Sequence, residues 1–271
     1  RFISLLAWTW PKDLLIFFGQ YRTFDVILPQ LQDLDKVDVI VSTWSDDVSK
    51  QKIDLIYKHI PHAIVLTADS NELDSILFEN LEYEDGFSVD SLENTTRMYY
   101  HWKKVINYVD ETKYQKVILH RTDTISDWNK VLDFKLKENT LYLNDSFNGD
   151  VSGSTSSGIE VKKGVIDHHW VDDHFIFGNM NIMKLFINYI ENDKNYKTHF
   201  HLGNVILKNT ISTINWSDKI NVFLIRNNSR KKIEDLNKNN ISLINSYNNQ
   251  LPPFETNENW SNFWKQWKII K

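Results

Sequence analysis

The apolar residues of this chain gather into short runs separated by polar segments. Leu14-Leu15-Ile16-Phe17-Phe18 is continuous and apolar, the pattern of a buried strand. Gly19-Gln20-Tyr21-Arg22-Thr23 follows as a turn, and residues 24–34 take up helical spacing. A second strand is expected from Val37 to Trp44, a helix over residues 53–59 and a third strand at Ala63-Ile64-Val65-Leu66. Strands alternating with helices predict an α/β domain with a mostly parallel sheet.

The middle of the chain carries its most informative stretch, Lys116-Val117-Ile118-Leu119-His120-Arg121-Thr122-Asp123-Thr124. Three apolar residues run straight into His, Arg, Thr and Asp. A buried strand ending this way brings charge to the edge of a core, beyond the strand's carboxyl end. In open α/β sheets that edge binds ligands. Ahead of it, residues 79–93 are acidic and read as a loop. Asn94-Thr95-Thr96-Arg97 then reads as the cap of a helix running to about Val109, with Met98, Trp102, Val105 and Val109 as its buried stripe. On that reading Arg97 falls in the first turn, where a cation opposes the helix dipole, and an anionic ligand would explain it.

Beyond the central strand, residues 128–132 predict a helical turn and Leu141-Tyr142-Leu143 a short strand. Residues 145–164 are rich in Ser, Gly and Asp and hold half of the chain's eight glycines, the composition of either a disordered loop or a mobile lid over a site. Asp172-Asp173-His174 then precedes the apolar run Phe175-Ile176-Phe177 and Gly178, read as a turn. Residues 181–190 predict a helix with Ile182, Leu185, Phe186 and Tyr189 on one face. Residues 199–207 continue helix-like, and residues 221–226 form a late strand. After an Asn/Lys-rich segment at residues 231–250, Trp260, Phe263, Trp264 and Trp267 make the stripe of an amphipathic helix. The division expected is a catalytic domain over residues 1–230 and a C-terminal extension over residues 231–271. The aromatic helix of that extension is expected to dock on the chain's own core, to lie in a membrane interface as a peripheral contact, or to form a subunit contact.

Composition narrows the chemistry. The 271 residues carry a net charge of −5 and no cysteine. Disulfides, thiolate metal sites and cysteine nucleophiles are thereby excluded, and nothing draws the whole chain to nucleic acid. No G-x-G-x-x-G or P-loop pattern occurs. Most of the ten Trp are expected in the core. Residues 2–10 are too short to span a bilayer, no other apolar run approaches the roughly 20 residues needed, and no secretory signal is read here. The start at Arg1 rather than Met is consistent with a processed or shortened N-terminus.

Asp123 and the Asp172/Asp173 pair come from different strand ends, so a fold can bring them together. Paired carboxylates suit a divalent cation or a general base. Arg22, Arg97 and Arg121 suit a diphosphate, because guanidinium forks match phosphate oxygens. Sugar transfer from a sugar nucleotide needs this set: stabilisation of leaving-group charge, a base, and exclusion of water.

The order of Gly19-x-x-Arg22-Thr23, Asp38-Val39-Ile40-Val41-Ser42-Thr43-Trp44, Asn94-x-x-Arg97, Arg121-Thr122-Asp123 and Asp172-Asp173-x-Phe175-x-Phe177-Gly178 resembles WavE-like glycosyltransferases of bacterial polysaccharide and lipopolysaccharide synthesis. The resemblance spans roughly residues 14–226. It implies a GT-A-like, single Rossmann-type domain that binds a nucleoside diphosphate sugar and moves the sugar to a hydroxyl of a surface glycan or lipid-linked glycan. The place implied is the cytoplasmic side, at the inner face of the membrane. It assigns Gly19, Arg22, Thr43, Arg97, Arg121 and Asp123 to the sugar nucleotide, and Asp173 or Asp172 to the catalytic base. Asp123 matches the second carboxylate of the family's Asp-x-Asp and is the implied ligand of Mn²⁺ or Mg²⁺. Arg121 stands in place of the first Asp, a departure that bears directly on metal use. His201 is a further candidate metal or phosphate ligand, weighed against a packed helical histidine. Two other classes fit the same residues: a metal-dependent phosphoryl-transfer enzyme or hydrolase using Asp123, Asp172, Asp173 and a histidine, and a non-catalytic glycan-binding module.

Overall fold

A computed structural model describes residues 11–70, 89–143 and 173–192, and, further on, residues 202, 205–206, 208–216, 219–220 and 222–224; for residues 89–96, 191, 192, 215, 223 and 224 only the backbone is described. The glycine-rich segment 145–164, Asp172, His201, the extension 231–271 and its aromatic stripe lie outside these residues.

The apolar runs are strands. β1 is Lys12–Phe18, β2 Asp38–Trp44, β3 Ile64–Ala68, β4 Tyr114–Arg121, β5 Thr124–Ser126, β6 Thr140–Leu143, β7 Phe175–Asn179, β8 Ser212–Asn215 and β9 Val222–Leu224. Seven of them form one sheet in the order β3-β2-β1-β4-β7-β6-β8, and β5 and β9 pair separately. β1 is parallel to β2 and β4, β2 to β3, and β6 to β8. β7 runs antiparallel between β4 and β6. This is the α/β domain with a mostly parallel central sheet flanked by helices that the sequence predicts.

β1 is apolar without alternation because both faces of the sheet are covered. One face carries Leu15, Phe17, Val39, Val41 and Ile118 against α1 (Phe24–Ile27), α2 (Lys50–His59) and the turn at Trp128–Val131. The other carries Leu14, Ile16, Phe18, Val117 and Leu119 against α3 (Val89–Tyr108) and α4 (Met180–Asn192). Trp44, Trp102, Trp128 and Trp216 are all buried, as core-filling aromatics. Among the described residues no helix is long and apolar enough to cross a membrane.

Several elements differ from the sequence reading. The helix expected over residues 24–34 stops at Ile27. Pro29 lies in a 3-10 turn, and Asp33 adopts φ +59°. A proline without an N–H cannot continue the helix. α3 begins at Val89, so Asn94 is not its cap, and Arg97 sits in the third turn rather than the first. The helix dipole acts within the first turn only, so it gives no reason for Arg97. Capping preference is local, and docking of Tyr99, Trp102, Val105 and Ile106 on the sheet outweighs it. In α4 the buried face is Ile182, Met183, Phe186, Ile187 and Ile190, whereas Leu185 is exposed.

Gly178 is inside β7, not in a turn. A Cβ there would stand 2.8 Å from Ile182 Cγ2 and 3.2 Å from the Thr140 carbonyl oxygen. Glycine is needed because α4 doubles back directly over its own strand. Asn179 starts that helix, its Oδ1 accepting from the Ile182 N–H at 2.9 Å.

Candidate active site at the carboxyl edge of the sheet

The strand order puts the candidate residues together. From β1 the chain moves outward to β2 and β3, then returns to β4 on the other side of β1. The crevice outside the carboxyl ends at such a reversal is the usual ligand site of open α/β sheets. β1 delivers Gly19 to Arg22 there, and β4 delivers Arg121 to Asp123. β7 runs the opposite way, so its entry residues Asp173 and His174 reach the same edge.

Backbone contacts lock these turns to one another. The Gly19 N–H donates to the Ser42 carbonyl at 3.1 Å, the Thr122 N–H to the Phe18 carbonyl at 3.1 Å, and the Arg121 N–H to the His174 carbonyl at 3.2 Å. The Thr122 hydroxyl also donates to the Gln20 carbonyl. Gly19 has φ +105°, which only glycine adopts readily. Arg22 has φ +33°, a strained value for a side-chain-bearing residue. Backbone strain of this kind costs of order 1–3 kcal/mol and persists only where the surroundings hold it. Here the Arg22 side chain is held at two points. Nε donates to Gln20 Oε1 at 2.6 Å and Nη1 to Asp123 Oδ2 at 3.0 Å.

Arg121 is the hub. Its Nε and Nη2 donate to Asp123 Oδ1 and Oδ2 at 2.8 and 2.9 Å, a two-point fork. Its Nη1 donates to Asp173 Oδ1 and Oδ2 at 3.2 and 3.1 Å. The contacts run Arg22–Asp123–Arg121–Asp173, with His174 Nε2 3.8 Å from Asp173. Exposure sets what a ligand meets. The Asp123 and Asp173 side chains are 3% and 8% exposed, against 17% for Arg121 and 33% for Arg22. The acids lie beneath the guanidinium groups, so an incoming group meets positive charge first.

Of the predicted residues, then, Gly19, Arg22, Arg121, Asp123 and Asp173 share one edge. Thr43, next to last in β2, lies toward that same edge, fully buried, and its hydroxyl has no hydrogen-bond partner among the described residues. Arg97 is half-buried on α3.

Three further groups belong to this edge and were not singled out from sequence. Gln20 positions Arg22. Asp47 lies in the loop after β2; burial, then neighbouring Asp46, pushes its carboxyl up, while Lys52, Arg22 and the Tyr21 backbone act against that. A polar residue just past a strand's carboxyl end was the available signal for Asp47. His120 points to the opposite face from Arg121. Its Nδ1 lies 2.8 Å from the Arg121 carbonyl and its Nε2 2.7 Å from Ser126 Oγ. A neutral ring with its proton on Nδ1 donates to that carbonyl and accepts from the serine, bracing the turn that carries Asp123.

Burial holds His120 down to about 4, against an ordinary 6.5. His101, bonded through Nδ1 to Ser42 Oγ at 2.8 Å, is held down to about 3 by burial and then by Lys104. Both are therefore neutral in the folded protein at pH 6.5, and the unfolded chain binds more protons below that pH. Stability is full above pH 6.5 and is lost as pH falls toward 4. Each histidine contributes on the order of 1 kcal/mol per pH unit in that window. Urea midpoints measured from pH 7 to pH 4.5 should fall steadily; midpoints independent of pH would contradict this assignment.

No group of three or more acidic or histidine side chains that could hold a metal ion occurs among the described residues. No family model and no curated protein matches the sequence. Among solved structures, the chain is similar to the apo form of mouse xyloside xylosyltransferase 1, at 9% sequence identity and a TM-score of 0.43, over 75% of this chain and 84% of that one.

Proposed function

We propose that this protein is a glycosyltransferase that binds a nucleoside diphosphate sugar in the crevice between β1 and β4. On this proposal it moves the sugar to a hydroxyl of a bacterial surface glycan or its lipid-linked precursor. The observation that carries the reading is the pair of guanidinium groups, Arg22 and Arg121, standing over buried carboxylates at the reversal point of the sheet. That arrangement suits a diphosphate, whose oxygens match two guanidinium forks. Thr43 and Asp47, at the end of the adjacent β2, supply hydroxyl and carboxylate groups of the kind that read a ribose or base.

In the transfer, the bond between the anomeric carbon and the diphosphate oxygen breaks, and the diphosphate leaves with the electron pair. Arg22 and Arg121 stabilise that charge where it develops. The acceptor oxygen bonds to the anomeric carbon and gives its proton to a carboxylate. Asp173 or Asp172 takes this base role in an inverting reaction. Asp173 is held by Arg121 at both oxygens, so it must loosen that contact to accept the proton.

The test is a thermal-shift panel with UDP, GDP, CMP and their sugar conjugates. One base should raise the melting temperature selectively, with the sugar conjugate bound at the same site. Absence of any nucleotide-dependent shift, together with phosphate release from simple phosphate esters, would overturn the reading in favour of a hydrolase.

A further inference from the structure

We propose that Arg121 is the resident cation of this site and that its guanidinium takes the place a divalent metal would occupy. The inference rests on the reading above only in naming a diphosphate as the anion served. All four carboxylate oxygens of Asp123 and Asp173 accept hydrogen bonds from this one side chain, at 2.8 to 3.2 Å. A dication shared by two carboxylates would need those same oxygens at about 2.0–2.6 Å. It would also have to sit against a fixed positive charge at close range in a buried setting, where repulsion is poorly screened.

The donor set points the same way. Arg22 makes a further contact with Asp123 Oδ2 at 3.0 Å, so a metal would have to displace two guanidinium groups to claim that oxygen. Two charges of each sign alternate along Arg22–Asp123–Arg121–Asp173. The acids are therefore already neutralised. Asp123 thereby acts as a positioning residue for the cation, and Asp173 helps to orient Arg121 until it turns to the acceptor as base. Arginine keeps its charge at every relevant pH, so the site carries its counter-charge permanently instead of recruiting it.

The experiment follows Mn²⁺ alone by electron paramagnetic resonance, with the full chain as wild type, R121D and D123N. At about 1 mM Mn²⁺, in the range of weak carboxylate sites, wild type should hold no ion at this site. R121D should take up one per chain and gain thermal stability from it, because the substitution replaces the cation by a third carboxylate. One ion bound per wild-type chain and lost in D123N would overturn the proposal. Should R121D fail to fold, the wild-type and D123N arms still decide. A second arm measures binding of the selected nucleoside diphosphate in EDTA and in Mn²⁺, for which the expected change in dissociation constant is less than about threefold. Loss of binding in EDTA, restored by Mn²⁺, would also overturn it. If no nucleotide binds in either condition, the functional reading fails while the Mn²⁺ arm still decides the role of Arg121.

Discussion

Asp123→Asn should be the most damaging single change at the site. The carboxylate is buried and accepts from two arginines, with Nε and Nη2 of Arg121 on its two oxygens and Arg22 Nη1 on one of them. Asparagine keeps the shape but turns an amide N–H toward at least one guanidinium, donor against donor. The charge that fixes both cations is lost as well. Breaking a buried ion pair by removing one partner costs about 3–5 kcal/mol. The low end applies here, because Arg121 keeps Asp173 and Arg22 can turn to water. Sugar transfer should fall by about 10²–10³-fold or more, the scale seen when a preorganised charge-stabilising group is removed. Urea unfolding and turnover per folded molecule check the two parts separately. Near-wild-type turnover would remove Asp123 from the site.

Lys116→Met should cost about as much stability and leave turnover per folded molecule unchanged. Lys116 lies near the start of β4, with β1 and β4 running on from there to the candidate site. It is 4% exposed. Its Nζ donates to Asp13 Oδ2 at 3.0 Å and to the carbonyls of Val131 and Leu132 at 2.7 and 2.8 Å. Methionine fills a similar volume, so the loss is polar: a nearly buried carboxylate loses its cation and two carbonyls lose their donor. About 3–5 kcal/mol is expected by urea unfolding. The double variant K116M/D13N should recover part of it, because no uncompensated charge remains. A single variant as stable as wild type would mean that water replaces the ammonium group without cost.

Much of this architecture was legible because buried parallel strands leave a plain mark, a run of apolar residues ending in polar ones. The ends of β1 and β4 pointed to Arg22, Arg121 and Asp123, and the family resemblance added Gly19 and Thr43. The run at Phe175-Ile176-Phe177 likewise flagged Asp173. The direction and place of β7 were not legible, since an apolar run carries no sign of parallel or antiparallel pairing. β5 and β8 are short and largely polar, and left no signal. The place of Arg97 within its helix was misjudged, because a run of Asn and Thr favours a cap locally while α3 begins earlier, at Val89. The lock between Arg121 and the two carboxylates was hidden too. Sequence showed an Arg in an Asp-x-Asp position, but only the convergence of β4 with β7 shows one guanidinium serving both acids.

The central claim is that the crevice between β1 and β4 holds a diphosphate on Arg22 and Arg121. Its most direct test is calorimetric binding of the nucleoside diphosphate selected by the thermal-shift panel, in EDTA, to wild type and to R22A. Wild type should bind, and at 100-fold over its dissociation constant the ligand should stabilise it by about 2.7 kcal/mol. R22A should bind about 10- to 100-fold more weakly, as expected for a lost hydrogen bond to a charged group. Equal affinity in the two proteins, or no binding by a folded wild type, would contradict the account.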